Sequence, residues 1–386
     1  MLLALSSTLR ATVKGFKTGL DMHYLPQNLR DAIYATRQLG LTLLWVDALC
    51  IVQDDTASRS RDISNMGSYY RNAFVTLSIL SAHDSHVGFL KPRESASTIS
   101  LGGNLHLRRA RPSWNEMLQE SPLSKRAWVL QERLLSKRIV HFEKNEIFWE
   151  CLGGSAREGS VEEEPEACNQ GGWTDETFKQ CLNFANNTAV GEFGRYTTQS
   201  EFFMMQWYRI LCQYSGLSLT YRSDIFLAID GIAQIFREVT GFTYKAGLFE
   251  EHVHSGLLWH VEGSNMPVRL TNAACKPPSW SWASLDGPVN MIFDRGSTNI
   301  TTDLTAKVLR YQPHPKRASS AFAHAEDDVL MLEASCFNVF CRSSSNGGAP
   351  YSGPYLRMVI DIFDDRGICI GTGYLDRIPE STNARC

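Results

Sequence analysis

None of the ten cysteines, scattered from Cys50 to Cys386, sits in a CxxC pair, so neither a zinc ribbon nor a thioredoxin-type redox couple is encoded. A chain of 386 residues has no need of disulfide staples, and reduced thiols in a cytoplasmic setting are the expectation. No apolar run reaches the roughly 18 residues that a membrane-spanning helix requires. Met1–Leu5 is apolar but carries no charged n-region, so no secretory signal is expected. Basic tracts are missing and the net charge is only -3, which argues against capture of nucleic acid or an anionic membrane. The chain also lacks a GxSxG elbow, a Walker loop, a GxGxxG turn after a strand and an HExxH helix. His252, His254 and His260 come nearest to a metal set, but their H-x-H-x5-H spacing fits no standard site and no cysteine joins them. Neither a metal nor a required cofactor is expected.

What is present is the composition of a globular protein, with 43% hydrophobic and 20% charged residues. Pro26 suits a first helical turn, and Leu29, Ala32, Ile33, Thr36 and Leu39 follow at helical spacing until Gly40 supplies a stop. Leu41–Val46 is a short apolar run ending abruptly at Asp47, which predicts a buried strand. Ser58–Arg71 reads as a helix with Ile63, Met66, Gly67 and Tyr70 on one face, and Ala73–Leu80 as a second strand. Helix, strand, helix, strand in this order predicts an α/β domain with a parallel sheet flanked by helices.

Further along, Leu101–Arg109 reads as a hairpin around Gly102–Asn104. Trp128–Leu135 reads as a short helix, and Arg138–Cys151 as two strands around Lys144–Asn145. We place the first domain at 1–152. A mobile surface loop at 153–172 carries Glu162, Glu163 and Glu164 in series. A mainly helical region follows at 173–262, with helices expected over Glu201–Cys212 and Asp224–Val239, and a β-rich region at 263–386 packs on the first domain. Trp280 and Trp282 alternate with serines, as on a strand with one aromatic face.

Four stretches resemble the signature blocks of the fungal heterokaryon-incompatibility (HET) domain family, in that family's order. They are LPQNLRDAIYATRQLGLTLLWVDALCIVQDD (Leu25–Asp55), MGSYYRNAFVTLSILSAHDSHVGF (Met66–Phe89), PLSKRAWVLQERLLSKRIVHFEKNEIFWEC (Pro122–Cys151) and PSWSWASLDG (Pro278–Gly287). The resemblance implies a fold distantly like that of Toll/interleukin-receptor (TIR) domains and a role in fungal non-self recognition and programmed cell death. Because some TIR domains cleave NAD, it also makes NAD a candidate substrate, with a protein partner or self-association as the trigger. Two departures stand out. Leu3–Ser6 keeps only the beginning of the LSY-x-WG strand with which the family opens, and Asp62 stands where the family carries a glutamate.

Cleaving the N-glycosidic bond of NAD needs a carboxylate near the ribose, aromatic walls and a positioned water. Asp62 is one candidate for the carboxylate, the alternative being a solvated helix residue between Arg59 and Arg61. Asp47 is the other, at the end of an apolar run, where it can equally cap the next turn. Trp45, Trp128 and Trp149 are candidates for stacking on a nicotinamide or adenine ring, Arg126 for binding a pyrophosphate and Glu132 as a carboxylate for catalysis, against the reading of core aromatics and an internal ion-pair network with Gln131 and Arg133. His83, beside Asp84 after the second strand, completes the candidate set. The competing functional readings are a non-enzymatic interaction module and a family member serving another pathway, including a biosynthetic one.

Overall fold

The computed structural model describes residues 7–81, 84, 86–92, 98–102, 105–108, 113–158, 179, 199–261, 268–269 and 277–291, together with strands at 307–312, 329–333, 340–343, 358–363 and 369–375. The chain divides into two compact units, one of Met1–Glu192 with Leu217–Gly241 and the other of Phe193–Gly216 with Phe242–Cys386.

In the first unit the helices are α1 (Val13–Thr18), α2 (Gln27–Gln38), α3 (Asp47–Cys50), α4 (Thr56–Asn72), α5 (Trp114–Glu120) and α6 (Ala127–Leu135), joined by the helix Leu227–Thr240. The strands are β1 (Thr76–Ile79), β2 (Thr98–Gly102), β3 (Leu105–Arg108), β4 (Arg138–Phe142), β5 (Ile147–Cys151) and β6 (Gly154–Arg157). As the sequence predicted, α2 stops at glycine: Gly40 takes a left-handed φ of 72°, and Leu41 N–H turns back to the carbonyl of Thr36 at 3.0 Å. The Asp55 carboxylate starts α4 by accepting from Ser58 N–H.

One four-stranded sheet, in the order β1-β4-β5-β6, organises this unit. β1 and β4 are parallel, with Thr76 opposite Ile139 and Ile79 opposite Phe142. The intervening chain, which includes α5 and α6, is long enough for the crossover that parallel strands require. The α/β class holds, but the sheet is mixed rather than parallel throughout: β4–β5 and β5–β6 are antiparallel. The reason is connection length, since residues 143–146 and 152–153 span only hairpin turns.

A second difference concerns Leu41–Val46. The run forms no strand, and Leu43 is 88% exposed. Hydrophobicity can bury a strand only where a ladder partner stands beside it, and none does among the described residues. The expected loop also starts later than residue 153, because Gly154–Arg157 forms β6; residues 159–172 lie outside the described residues.

Behind the sheet, α4, α6 and the helix Leu227–Thr240 pack closely. A Cβ on Gly67 would stand 2.9 Å from the Gly231 Cα, so the two backbones meet where only glycine fits. Gln131, 1% exposed, accepts the Gly231 N–H at 2.7 Å and satisfies a buried amide across this junction.

The second unit has its own core around the helix Gln199–Ser215, whose Trp207 and Leu211 are fully buried. Both long helices expected downstream of the first domain are present, here and at Leu227–Thr240. Trp280 and Trp282 do not lie on a strand: Ser281 caps a 3-10 turn at Trp282–Ser284. The Trp282 indole donates to the Gly247 carbonyl at 3.1 Å and meets the Tyr214 ring edge-on within this same unit. Further on, antiparallel pairs join Lys307–Gln312 to Val329–Glu333 and link Phe340–Ser343, Met358–Phe363 and Cys369–Leu375. Among the described residues no helix is long and apolar enough to cross a membrane.

Candidate functional site

A cleft of about 1130 Å³ opens in the first unit between α2, the run Leu41–Ala48, the end of α4, β1 and α6. Most of its lining is apolar, and among its polar groups Asp47, Tyr70 and Arg126 act on Glu132.

Each polar group is placed by a local device. α3 begins at Asp47, whose carboxylate accepts the Ala48 N–H at 2.7 Å. Arg126 is the extended residue before α6, fixed because Lys125 and Ala127 both bond the backbone of Ser218. Glu132 follows Gln131 on α6, so the bond from Gly231 that locks Gln131 also fixes the Glu132 backbone. Tyr70 comes from the last turns of α4 and hydrogen-bonds the Glu132 carboxyl.

Electrostatics set Glu132 apart. Part of its surface opens to the cleft, but burial of its carboxyl, reinforced by the negative charge of Asp47, pushes its pKa up to about 7. The Tyr70 hydrogen bond and Arg126 oppose that rise without cancelling it. The Tyr70 phenol is held well above its ordinary range by burial first and by Glu132 and Asp47 next, so it keeps its proton. Trp45 closes one side, its ring centroid 5.2 Å from Tyr69 and 5.7 Å from Tyr70.

Four of the residues singled out in the sequence therefore line one cleft: Trp45, Asp47, Arg126 and Glu132. Residues 6–132 match the family described as heterokaryon incompatibility protein (HET). They form a HET domain. No curated protein and no solved structure matches the chain.

Asp62 of the HET domain stands differently. It is half-buried on α4 and is not among the residues lining the cleft; it accepts the Tyr69 hydroxyl at 3.0 Å and is 3.4 Å from the Ser58 hydroxyl. Because Tyr69 does line the cleft, Asp62 reaches it through that ring. His83 lies outside the described residues, although its neighbour Asp84 lines the cleft and caps the amides of His86 and Val87. Trp128 and Trp149 are half-buried and away from the lining.

Arg133, adjacent to Glu132, serves a separate buried cluster. Its Nε is 3.0 Å from Glu150, which also meets His141 at 2.9 Å and Lys179 at 2.7 Å. Burial alone would raise the Glu150 pKa, but Arg133, the His141 hydrogen bond and Lys179 together hold it well below the usual range. Arg133 thus borders the cleft while pairing with Glu150, and Glu132 pairs with Tyr70. Among the described residues no cluster of His, Cys, Asp and Glu is suited to a metal.

Sequence reasoning passed over Tyr69 and Tyr70 as contributors to this site. The available signal was the helical spacing that puts Tyr70 on the face of Met66 and Gly67, but that face also reads as ordinary core.

Proposed function

We propose that the HET domain is a cytoplasmic signalling or effector module of fungal non-self recognition and programmed cell death, and that it acts by hydrolysing the N-glycosidic bond of NAD in the Glu132–Asp47 cleft. The supporting observation is the Glu132 carboxyl, pushed up to about 7 by burial and then by the negative charge of Asp47. Pairs of carboxyl groups whose environments separate their roles are the usual machinery of glycosidic cleavage. The TIR-like comparison rests on the parallel β1–β4 pair with helices about it. Self-association or a protein partner is the proposed trigger.

In this mechanism the bond from ribose C1′ to the nicotinamide nitrogen breaks with its electron pair leaving on nicotinamide, which departs neutral. The Asp47 carboxylate stabilises the oxocarbenium ion that develops on the ribose. Ionised Glu132 takes a proton from the attacking water, whose oxygen forms the new bond to C1′, giving ADP-ribose and nicotinamide. Arg126 faces the pyrophosphate and Trp45 a base. Asp62 holds Tyr69, so the base in this scheme is Glu132 and not Asp62.

The test is release of nicotinamide and ADP-ribose by the purified chain at dilute and high concentration, with Glu132→Gln, Asp47→Asn and Asp62→Ala beside it. Turnover that grows with concentration, falls by about 100-fold or more in the first two variants and falls less in the third supports the proposal. Equal turnover in wild type and Glu132→Gln overturns it. The alternative, an interaction module without catalysis, is favoured by one observation: Leu39, Leu43 and Phe74 line the cleft yet are 50%, 88% and 64% exposed.

A further inference from the structure

The match to the HET family ends at residue 132, yet part of the backbone that holds the cleft's polar wall comes from the later segment Leu217–Gly241. Ser218 N–H donates to the Lys125 carbonyl at 2.8 Å, and the Ser218 carbonyl accepts from Ala127 at 2.9 Å, so this residue fixes Arg126 from both sides. Further along the same segment, Gly231 N–H donates to Gln131 Oε1 at 2.7 Å, beside Glu132. Ala228, Ile229, Ile232 and Ala233 are fully buried, and their helix packs against α4 and α6. With no room at the Gly67–Gly231 approach, a helix held this closely shifts as a body.

Both ends of the segment run straight into the second unit. Upstream, the Ser215 hydroxyl accepts the buried Val289 N–H at 2.9 Å within that unit, and only Gly216 and Leu217 separate Ser215 from Ser218. Downstream, the helix ends at Thr240 and Gly241 turns the chain with a left-handed φ of 75°. The next residue, Phe242, already packs its ring 5.0 Å from His252 and 6.3 Å from Phe249 in the second unit. Two residues span about 7 Å even when fully extended, so neither junction holds slack. A displacement of Ser215 or Phe242 is therefore carried to the backbone that holds Arg126 and Glu132.

We propose that Leu217–Gly241 is a strap through which the second unit sets the geometry of the cleft. Rearrangement of that unit's core moves Ser218 and Gly231, and with them the backbones of Arg126 and Glu132. Ser218 and Gly231 are positioning residues, because each acts through α6 or the residue before it. The strap concerns the wall of the cleft and does not depend on NAD being the substrate.

Hydrogen exchange read by mass spectrometry on the full chain, without substrate, tests this. Leu211→Ala opens a hole in the second unit's core, where Leu211 is fully buried. It is made in the unaltered chain and in a slackened chain with Gly-Ser-Gly inserted after Gly216 and again after Gly241. The expected result is exchange about tenfold or more faster at Val129–Leu135 when Leu211→Ala is made in the unaltered chain, with β4 and β5 unchanged. In the slackened chain the same substitution should leave Val129–Leu135 within about twofold. Unchanged exchange at Val129–Leu135 in the unaltered chain overturns the proposal. So does equal acceleration in the slackened chain, which would route the coupling elsewhere, or equal acceleration in β4 and β5, which would mean that the whole first unit opens. If β4 and β5 lose protection on insertion alone, Phe242→Ala replaces the slackened chain: it frees the downstream end and should speed Val129–Leu135 while sparing β4 and β5. No change at Val129–Leu135 in Phe242→Ala overturns the strap.

Discussion

The two walls of the cleft are built to different standards. On one side Glu132 sits on α6, where Gln131 is bonded to Gly231 and the Gly67–Gly231 approach leaves no room for even a methyl group. On the other, Trp45 lies within a run, and Asp47 directly after it, whose backbone has no ladder partner among the described residues and whose Leu43 is almost fully exposed. The group that requires enclosure to shift its pKa is on the tightly packed wall. The group that would meet the developing charge in the proposed reaction is on the wall without a ladder.

The comparison is broken most directly at Glu132. Glu132→Gln should reduce nicotinamide release by about 10²–10⁴-fold, measured under saturating NAD, because it removes the proposed general base. The next largest effect is expected for Gly231→Ala. Its Cβ would meet the Gly67 Cα and the Gln131 Oε1, each at 2.9 Å, and backbone cannot yield as a side-chain tip does. A loss of about 1–3 kcal/mol in urea unfolding is expected; an unchanged midpoint would show that the strong wall is less closely packed than the geometry requires.

The pH dependence of stability sharpens the same contrast. Burial raises Glu132 from 4.5 to about 7, so folding favours its protonated form. That contribution is complete below about pH 4.5 and is lost as pH rises through about 7, amounting to about 1–3 kcal/mol. Glu132→Gln should remove this part of the slope. Asp230, raised to about 6 by burial against its bond to Gln234, should leave a residual decline in both proteins. Superimposable stability curves for wild type and Glu132→Gln would show that Glu132 is not enclosed. The smallest effect is expected for Arg71→Ala. Its 2.8 Å ion pair with Glu238 joins α4 to the helix Leu227–Thr240 at the surface, with side chains 31% and 56% exposed. A change of about 0–1 kcal/mol is expected, because solvent screens such pairs.

Much of the fold was legible in local pattern. The 3.6-residue spacing of Leu29, Ala32 and Thr36, the stop at Gly40 and the hairpin turn between β4 and β5 all appear where the sequence put them. Leu41–Val46 was misread because hydrophobicity reports a wish for burial and not the presence of a pairing partner. Connection lengths already contained the antiparallel turn from β4 to β5, but the helix–strand alternation upstream dominated the reading of the sheet.

The site was legible as a set of residues and not as a division of labour. Trp45, Asp47, Arg126 and Glu132 were all named, yet only packing reveals that α4 and α6 bring Tyr70 onto Glu132 across 62 residues of sequence. Neighbouring Glu132 and Arg133 look like one charged cluster in the sequence, whereas in the structure both border the cleft and take different partners, Tyr70 for Glu132 and Glu150 for Arg133. Asp62 drew notice by its place in the resemblance, and its bond to Tyr69 could not be read from spacing alone.

The most direct test of the central claim is the pH–rate profile of nicotinamide release by the concentrated chain. The rate should rise with pH as Glu132 ionises, with a midpoint near 7, and level off above it, and Glu132→Gln should abolish both the rate and the midpoint. A profile that is flat between pH 5 and 9, or one whose midpoint survives in Glu132→Gln, would contradict the assignment of Glu132 as the base.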